Sequence, residues 1–302
     1  MFLQLISWFN PVSVVSATIV AVVAGVFAVG CTLKLGPFAD QSDLDQWSNR
    51  LAESSRLYVP TTEGPHPIVI YMHGCVRFVG HPDLWGQALA SQGYAMLMID
   101  SFGPRNIGKR AQRSAVCRGL RLQGRERSGD LWAALNMIKK NIGLDGANID
   151  SSRIAAIGFS HGAWSIMDMM TQWTTGKLPG SLTSTQVPPP VPTVQDLKAL
   201  VLFYPWCRAF SLTQTVGAWS TIPPTHFVRP YNDTVVGTDG CNKNIADLST
   251  AALASGQGPV SNLIIDASDH AFDEPSGDHI PFEPVPTQQA IDSVISFLDQ
   301  SL

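Results

Sequence analysis

The stretch Arg153-Ile154-Ala155-Ala156-Ile157-Gly158-Phe159-Ser160-His161-Gly162 decides how this chain is read. Its apolar beginning has the look of a buried strand. It runs into a serine with a glycine two residues to either side, then into Trp164-Ser165-Ile166-Met167-Asp168-Met169-Met170, which reads as a helix. Small residues at those two positions let strand and helix approach closely, so the serine stands strained at the tip of a tight turn. Its hydroxyl then faces outward at the carboxyl end of a sheet. A glycine-bounded turn would give the same five letters, so the rest of the chain must decide.

Outward from that turn, apolar runs alternate with helical patterns. Strands are expected at 67–72, 94–99, 153–159, 199–204, 225–228 and 262–266. Helices are expected at 83–92, at 128–140 with Ser128 or Asp130 as cap, and at 287–298. Residues 36–54 read as a polar tether or an amphipathic entry helix. Uninterrupted apolar strands between helices imply an α/β fold, with a parallel sheet covered on both faces. Chemistry in such sheets gathers beyond the carboxyl ends of the strands. The loops to search are therefore 74–82, 101–124, 205–223, 230–244 and 267–282. The segment 174–196, with Pro188-Pro189-Pro190, belongs to the opposite edge as a surface loop.

A serine hydroxyl attacks a carbonyl only if a base takes its proton, and the base needs a carboxylate to fix its tautomer. Downstream of Ser160 stand His161, His226, His270 and His279. His161 is carried away on the turn, and His226 lies within a strand. His270, just beyond the last strand, is the candidate base, with His279 in the same loop as fallback. Asp233 is the candidate carboxylate; Asp239, Asp266 and Asp269 compete. The oxyanion needs two peptide donors. The amide of His161 and that of Cys75, in the loop after the first long strand, are the candidates. His73 is expected to be structural.

The loop from Ser101 to Arg127 is basic: Arg105, Lys109, Arg110, Arg113, Arg118, Arg121, Arg125 and Arg127. Such a run can be a solvated face or can touch anionic lipid. It can also hold a substrate carboxylate, for which Arg105 is the candidate. The net charge of −4 argues against nucleic acid as a partner. The first 33 residues hold no Lys, Arg, Asp or Glu, and 12–33 is apolar enough to span a bilayer. Phe27-Ala28-Val29-Gly30-Cys31 looks like a lipoprotein processing site. A membrane anchor over 1–35, facing the periplasm and followed by a catalytic domain over 36–302, is the expected organisation. Of five cysteines, four lie beyond this segment, an even number that fits an oxidising compartment.

Taken together, His73-Gly74-Cys75, Asp100-Ser101-Phe102-Gly103-Pro104-Arg105, Cys117, Arg127 with Asp130, the Ser160 turn, Tyr204-Pro205 with Cys207, Asp233 and His270-Ala271-Phe272-Asp273 resemble the dienelactone hydrolase family of α/β-hydrolases. The resemblance runs over about 55–300. The founding branch carries cysteine as nucleophile; this chain has serine, as many relatives do. The resemblance implies a mainly parallel sheet of about eight strands with Ser160, Asp233 and His270 as triad. It further implies hydrolysis of a small ester or lactone with no cofactor and no metal. The family's strand order would also bring Cys75 toward Cys117 and Cys207 toward Cys241, implying two disulfides. Two other readings remain open. One is an inactive anchored binding protein on the same fold; the other is acyl transfer or peptidase action with the same triad.

Overall fold

Strands that are apolar on both sides must be covered on both sides, and the computed structural model builds the chain that way. It describes residues 41–77, 80–214, 219–237, 239–266, 269–276 and 281–302. The central sheet is formed by β2 (Arg56–Tyr58), β3 (His66–Met72), β4 (Ala95–Ile99), β5 (Ile149–Phe159), β7 (Leu197–Phe203), β8 (Thr225–Pro230) and β9 (Val260–Ile265). Its order is β2-β4-β3-β5-β7-β8-β9, and only the edge strand β2 is antiparallel. β1 (Ser42–Asp43) and β6 (Leu182–Ser184) pair separately. The sheet thus has seven strands among the described residues, against about eight expected. β2 escaped the sequence reading because three residues leave no alternation to detect.

Successive side chains of a strand point to opposite faces. Ile68, Ile70 and Met72 enter one core, beneath α1 (Leu44–Ala52), α3 (Gly124–Lys140), α4 (His161–Thr175) and α5 (Asn242–Ser255). Val69 and Tyr71 enter the other, beneath α2 (Gly80–Ser91) and α6 (Pro284–Ser301). In the 36–54 segment the amphipathic alternative holds for 44–52: Leu44, Trp47 and Leu51 are buried, and Asp43 caps the helix by accepting from Gln46 N at 2.8 Å. α3 begins a turn before the expected start. Glu126 Oε2 accepts from Gln123 N at 2.9 Å there, while Ser128 and Asp130 lie buried inside the helix as side-chain anchors and not as caps. α5 was not expected at all. It buries little beyond Leu248 and Ala252 and leaves Leu253 in solvent, so its apolar period is weak.

Cys75 is bonded to Cys117 and Cys207 to Cys241, the two pairings that the resemblance implied. Both bridges tie loops at the carboxyl ends of strands. The apolar span 12–33 with Cys31, the expected apolar helix and His279 lie outside the described residues. Among the described residues no helix is long and apolar enough to cross a membrane. Thiol titration of the unfolded, unreduced chain should find no more than one of the five cysteines free; five titrating thiols before any reductant is added would refute both bridges.

Candidate active site

Ser160 sits between the end of β5 and the start of α4 with φ 51°. This left-handed backbone costs a non-glycine residue on the order of 1–3 kcal/mol, so the surroundings must hold it. Ser160 N donates to Phe203 O on β7 at 2.9 Å, and Ser160 O accepts from Trp164 N at 3.0 Å. The flanking glycines are required by contact. A Cβ on Gly162 would stand 2.0 Å from Met72 O, and one on Gly158 would stand 2.6 Å from Ala163 N. The start of α4 is thereby pressed against the end of β3.

Two loops meet the serine. His270 Nε2 lies 3.0 Å from Ser160 Oγ, and His270 Nδ1 lies 2.9 Å from Asp233 Oδ2. Asp233 Oδ1 accepts from Val235 N at 3.0 Å and Val236 N at 2.8 Å, which leaves Oδ2 for the ring. Both side chains are buried. The competing carboxylates do other things. Asp239 and Asp266 are exposed. Asp269 accepts from Thr234 N and Thr234 Oγ1, both at 2.8 Å, and from His270 N at 2.6 Å. It ties the loop of the carboxylate to the loop of the imidazole.

Sequence reasoning missed a buried network beneath His270. Asp273 accepts from Tyr204 Oη at 2.7 Å and from Trp85 Nε1 at 2.9 Å, and its Oδ2 lies 2.9 Å from His81 Nε2. The Tyr204 ring packs 4.6 Å from that of His270. The only signal for it was Asp273 three residues after His270; its partners come from elements far apart in sequence.

Ser160 and His270 open onto a cavity of about 340 Å³. Its wall is largely apolar and aromatic, with Trp164, Trp206 and Phe210 on it, and Gly74, Cys75 and His161 lie along it. His161 is the first residue of α4, where amides have no intrahelical acceptor. Glu274 also lines the cavity; burial raises its carboxyl, and Ser276 donates to Oε1 from N at 2.9 Å and from Oγ at 2.6 Å. Among the described residues no group of three or more His, Cys, Asp or Glu is arranged to hold a metal ion.

The other histidines are engaged elsewhere. Burial, then the nearby Arg127 charge, hold His161 well below the usual imidazole range, and its Nδ1 lies 3.1 Å from Arg127 Nη1. His73 is buried and lowered for the same two reasons. His226 is pushed down to about 4 by burial and lies between Ser261 Oγ at 2.8 Å and Ser293 Oγ at 2.9 Å.

The expectation for Arg105 is corrected. Its guanidinium is already bidentate on buried Asp130, at 2.9 and 2.7 Å, and donates to Ser101 O at 2.8 Å. It stacks over Trp47 at 4.3 Å, and Trp47 Nε1 donates to the same carboxylate at 2.8 Å. A guanidinium buried on a carboxylate of the protein, and off the cavity wall, is not placed to receive a substrate carboxylate. Of the basic residues in that loop Arg118, which is exposed, is the one on the cavity wall among the described residues.

The strand order, the strained turn at the end of β5 and the two loops converging on it define an α/β-hydrolase fold. The chain is similar to Thermogutta terrifontis esterase 2, solved after reaction with tabun, at 13% identity and TM-score 0.58, over 82% of this chain and 88% of that one. It is likewise similar to a proposed dienelactone hydrolase of Klebsiella pneumoniae (15% identity, TM-score 0.58, 82% and 92% covered). A dienelactone hydrolase-like promiscuous phosphotriesterase from metagenomic libraries gives 13% identity and TM-score 0.51 over 82% and 92%. No protein-family model and no curated protein matches the sequence.

Two outcomes follow from this geometry. Gly162→Ala should lose about 3 kcal/mol or more in urea unfolding, because the new methyl meets backbone that cannot yield; a loss under about 1 kcal/mol would show that the turn can relax. Asp168, inside α4, is pushed up to about 8 by burial, although Leu212 N donates to it at 2.8 Å. In the unfolded chain it ionises near 3.8, so the native state keeps a proton that the unfolded state releases. Stability therefore declines as pH rises from about 4 to about 8. Asp168→Asn should gain Tm relative to the wild type over that interval, and a flat difference would exclude this cause.

Proposed function

We propose that this chain is a serine hydrolase of the dienelactone hydrolase type, cleaving a small ester or lactone through an acyl-enzyme. One observation carries the reading: the unbroken path from Ser160 Oγ through His270 to Asp233, at 3.0 and 2.9 Å, on the wall of a cavity. His270 takes the hydroxyl proton as Ser160 attacks the carbonyl, while Asp233 holds the ring in the tautomer with hydrogen on Nδ1. The amides of Cys75 and His161 receive the oxyanion. His270 then protonates the leaving alkoxide. Water, deprotonated by the same ring, releases the acid and regenerates the serine.

What supports an ester over a larger substrate is the wall: a mainly apolar space of about 340 Å³ fits a small acyl or alcohol group. The similar esterase from Thermogutta terrifontis has been phosphorylated by paraoxon, so organophosphorus reagents are suitable probes for this fold. Tethering through 12–33, on the side of a membrane where disulfides form, belongs to the same proposal. The charge-free beginning of the chain and the paired cysteines support it.

A fluorophosphonate probe should label the wild type, and Ser160→Ala should abolish both labelling and turnover of short-chain p-nitrophenyl esters. Asp233→Asn should keep the fold and lower kcat by about 10⁴-fold, since the ring is then held in the wrong tautomer. A folded wild-type chain that neither labels nor turns over any ester or lactone would leave an inactive binding protein as the better reading.

A further inference from the structure

We propose that the buried guanidinium of Arg127 polarises one peptide donor of the oxyanion site, the Cys75 N–H, and positions the other, the His161 N–H, an inference that rests on the hydrolase reading above. Arg127 lies in the first turn of α3 and is fully buried. Its Nε donates to Ser101 Oγ at 2.8 Å. Its Nη1 lies 3.5 Å from Gly74 O and 3.1 Å from His161 Nδ1. One nitrogen therefore faces both the carbonyl of the Gly74–Cys75 peptide and the ring of His161, and all three residues line the cavity beside Ser160.

The Gly74 carbonyl and the Cys75 N–H belong to the same peptide group. A positive donor at the carbonyl oxygen draws electron density toward it and makes the N–H at the other end a stronger donor. His73 acts on the same oxygen. Its Nε2 accepts from Ser101 N at 3.3 Å, so its proton sits on Nδ1, which donates to Gly74 O at 2.7 Å. On the other side, Arg127 donates to His161 Nδ1 and fixes the ring of the residue whose amide is the second donor. The His161 ring is also held edge-on against Trp164 at 4.9 Å.

Among the described residues Arg127 forms no ion pair of its own, although Asp130 and Asp100 act on it through space. Asp130 is taken by Arg105 and Asp100 by Arg77, and Arg127 Nη2 is buried without a hydrogen-bond partner. Burial pushes the guanidinium down to about 10, the direction expected of a cation held in a poor solvent. Those carboxylates are the same in ground and transition states, whereas the oxyanion adds a negative charge at the donors only in the transition state. An attraction present in the transition state and absent from the ground state raises kcat and leaves KM nearly unchanged. Arg127 touches neither the reacting atoms nor the substrate, so it is a positioning residue.

The test uses the full chain and three variants, Arg127→Met, Arg127→Lys and Ser160→Ala. The readouts are kcat and KM on a p-nitrophenyl ester, affinity for a trifluoromethyl ketone that forms an oxyanion on the serine, and Tm. Arg127→Met should lower kcat by about 30- to 100-fold, with KM within about threefold and ketone affinity falling in step with kcat. Arg127→Lys, which keeps the charge but not the fork, should recover about tenfold of the loss. A folded Arg127→Met protein whose kcat stays within threefold of the wild type, or whose ketone affinity does not fall with kcat, would overturn the inference. If Arg127→Met does not fold, Arg127→Lys decides by the same two readouts, each expected to fall by at least about threefold at a Tm near that of the wild type. Ester turnover surviving Ser160→Ala would instead sink the hydrolase reading itself. Turnover lost in Ser160→Ala but retained in both Arg127 variants would sink the present inference alone.

Discussion

The contact on which this molecule depends is between backbones: the start of α4 lies against the end of β3, with no room for a side chain at Gly162. Met72 O and His73 O occupy the space where a Cβ would go. That closeness forces the chain to turn within one residue, which places Ser160 in a left-handed conformation with its hydroxyl outward. It also brings the first amide of α4 beside the loop that follows β3. Serine, His161 amide and Cys75 are thus set relative to one another by main chain, and main chain is the least deformable part of a close-packed interior.

The partners of the serine come on loops, which are softer, and the structure stiffens each of them. Asp269 bridges the Asp233 loop and the His270 loop through Thr234. The Asp273 network holds Tyr204 under the imidazole. One disulfide ties the loop after β3 to the basic loop, and the other ties the loop after β7 to the start of α5. Cross-links placed at the carboxyl ends of strands restrain the segments that would otherwise move most.

Buried arginines on this side of the sheet illustrate two uses of one side chain. Arg105 is neutralised by Asp130, bonded to it through both Nη1 and Nη2 and stacked on Trp47, so it pins α1, α3 and the loop after β4 together. Arg127, one turn from Asp130 on the same helix, donates to a serine hydroxyl and an imidazole and faces a carbonyl, all neutral. A buried cation among neutral acceptors costs more than a paired one. Sequence alone favours Arg105 for a substrate; what separates the two is which carboxylate reaches which guanidinium.

Much of the architecture was legible because its signals are local. Long apolar runs marked β3, β4, β5 and β7, glycine spacing marked the turn at Ser160, and position after the last strand marked His270. The two-residue pairing of β1 with β6, the short β2 and the weakly amphipathic α5 gave no comparable periodicity. Among the site residues, the order of the chain selected Asp233 and His270, yet it also favoured Arg105 because a basic loop does not reveal where its counter-charges lie. By itself the sequence determined the layered fold and the strained serine, since both follow from residues within a few positions of one another. Tertiary structure alone decided that Asp269 is a brace, that Arg105 is spent on Asp130 and that Arg127 lies behind the cavity wall. Each of those facts depends on hydrogen bonds between segments that meet only when the sheet is assembled.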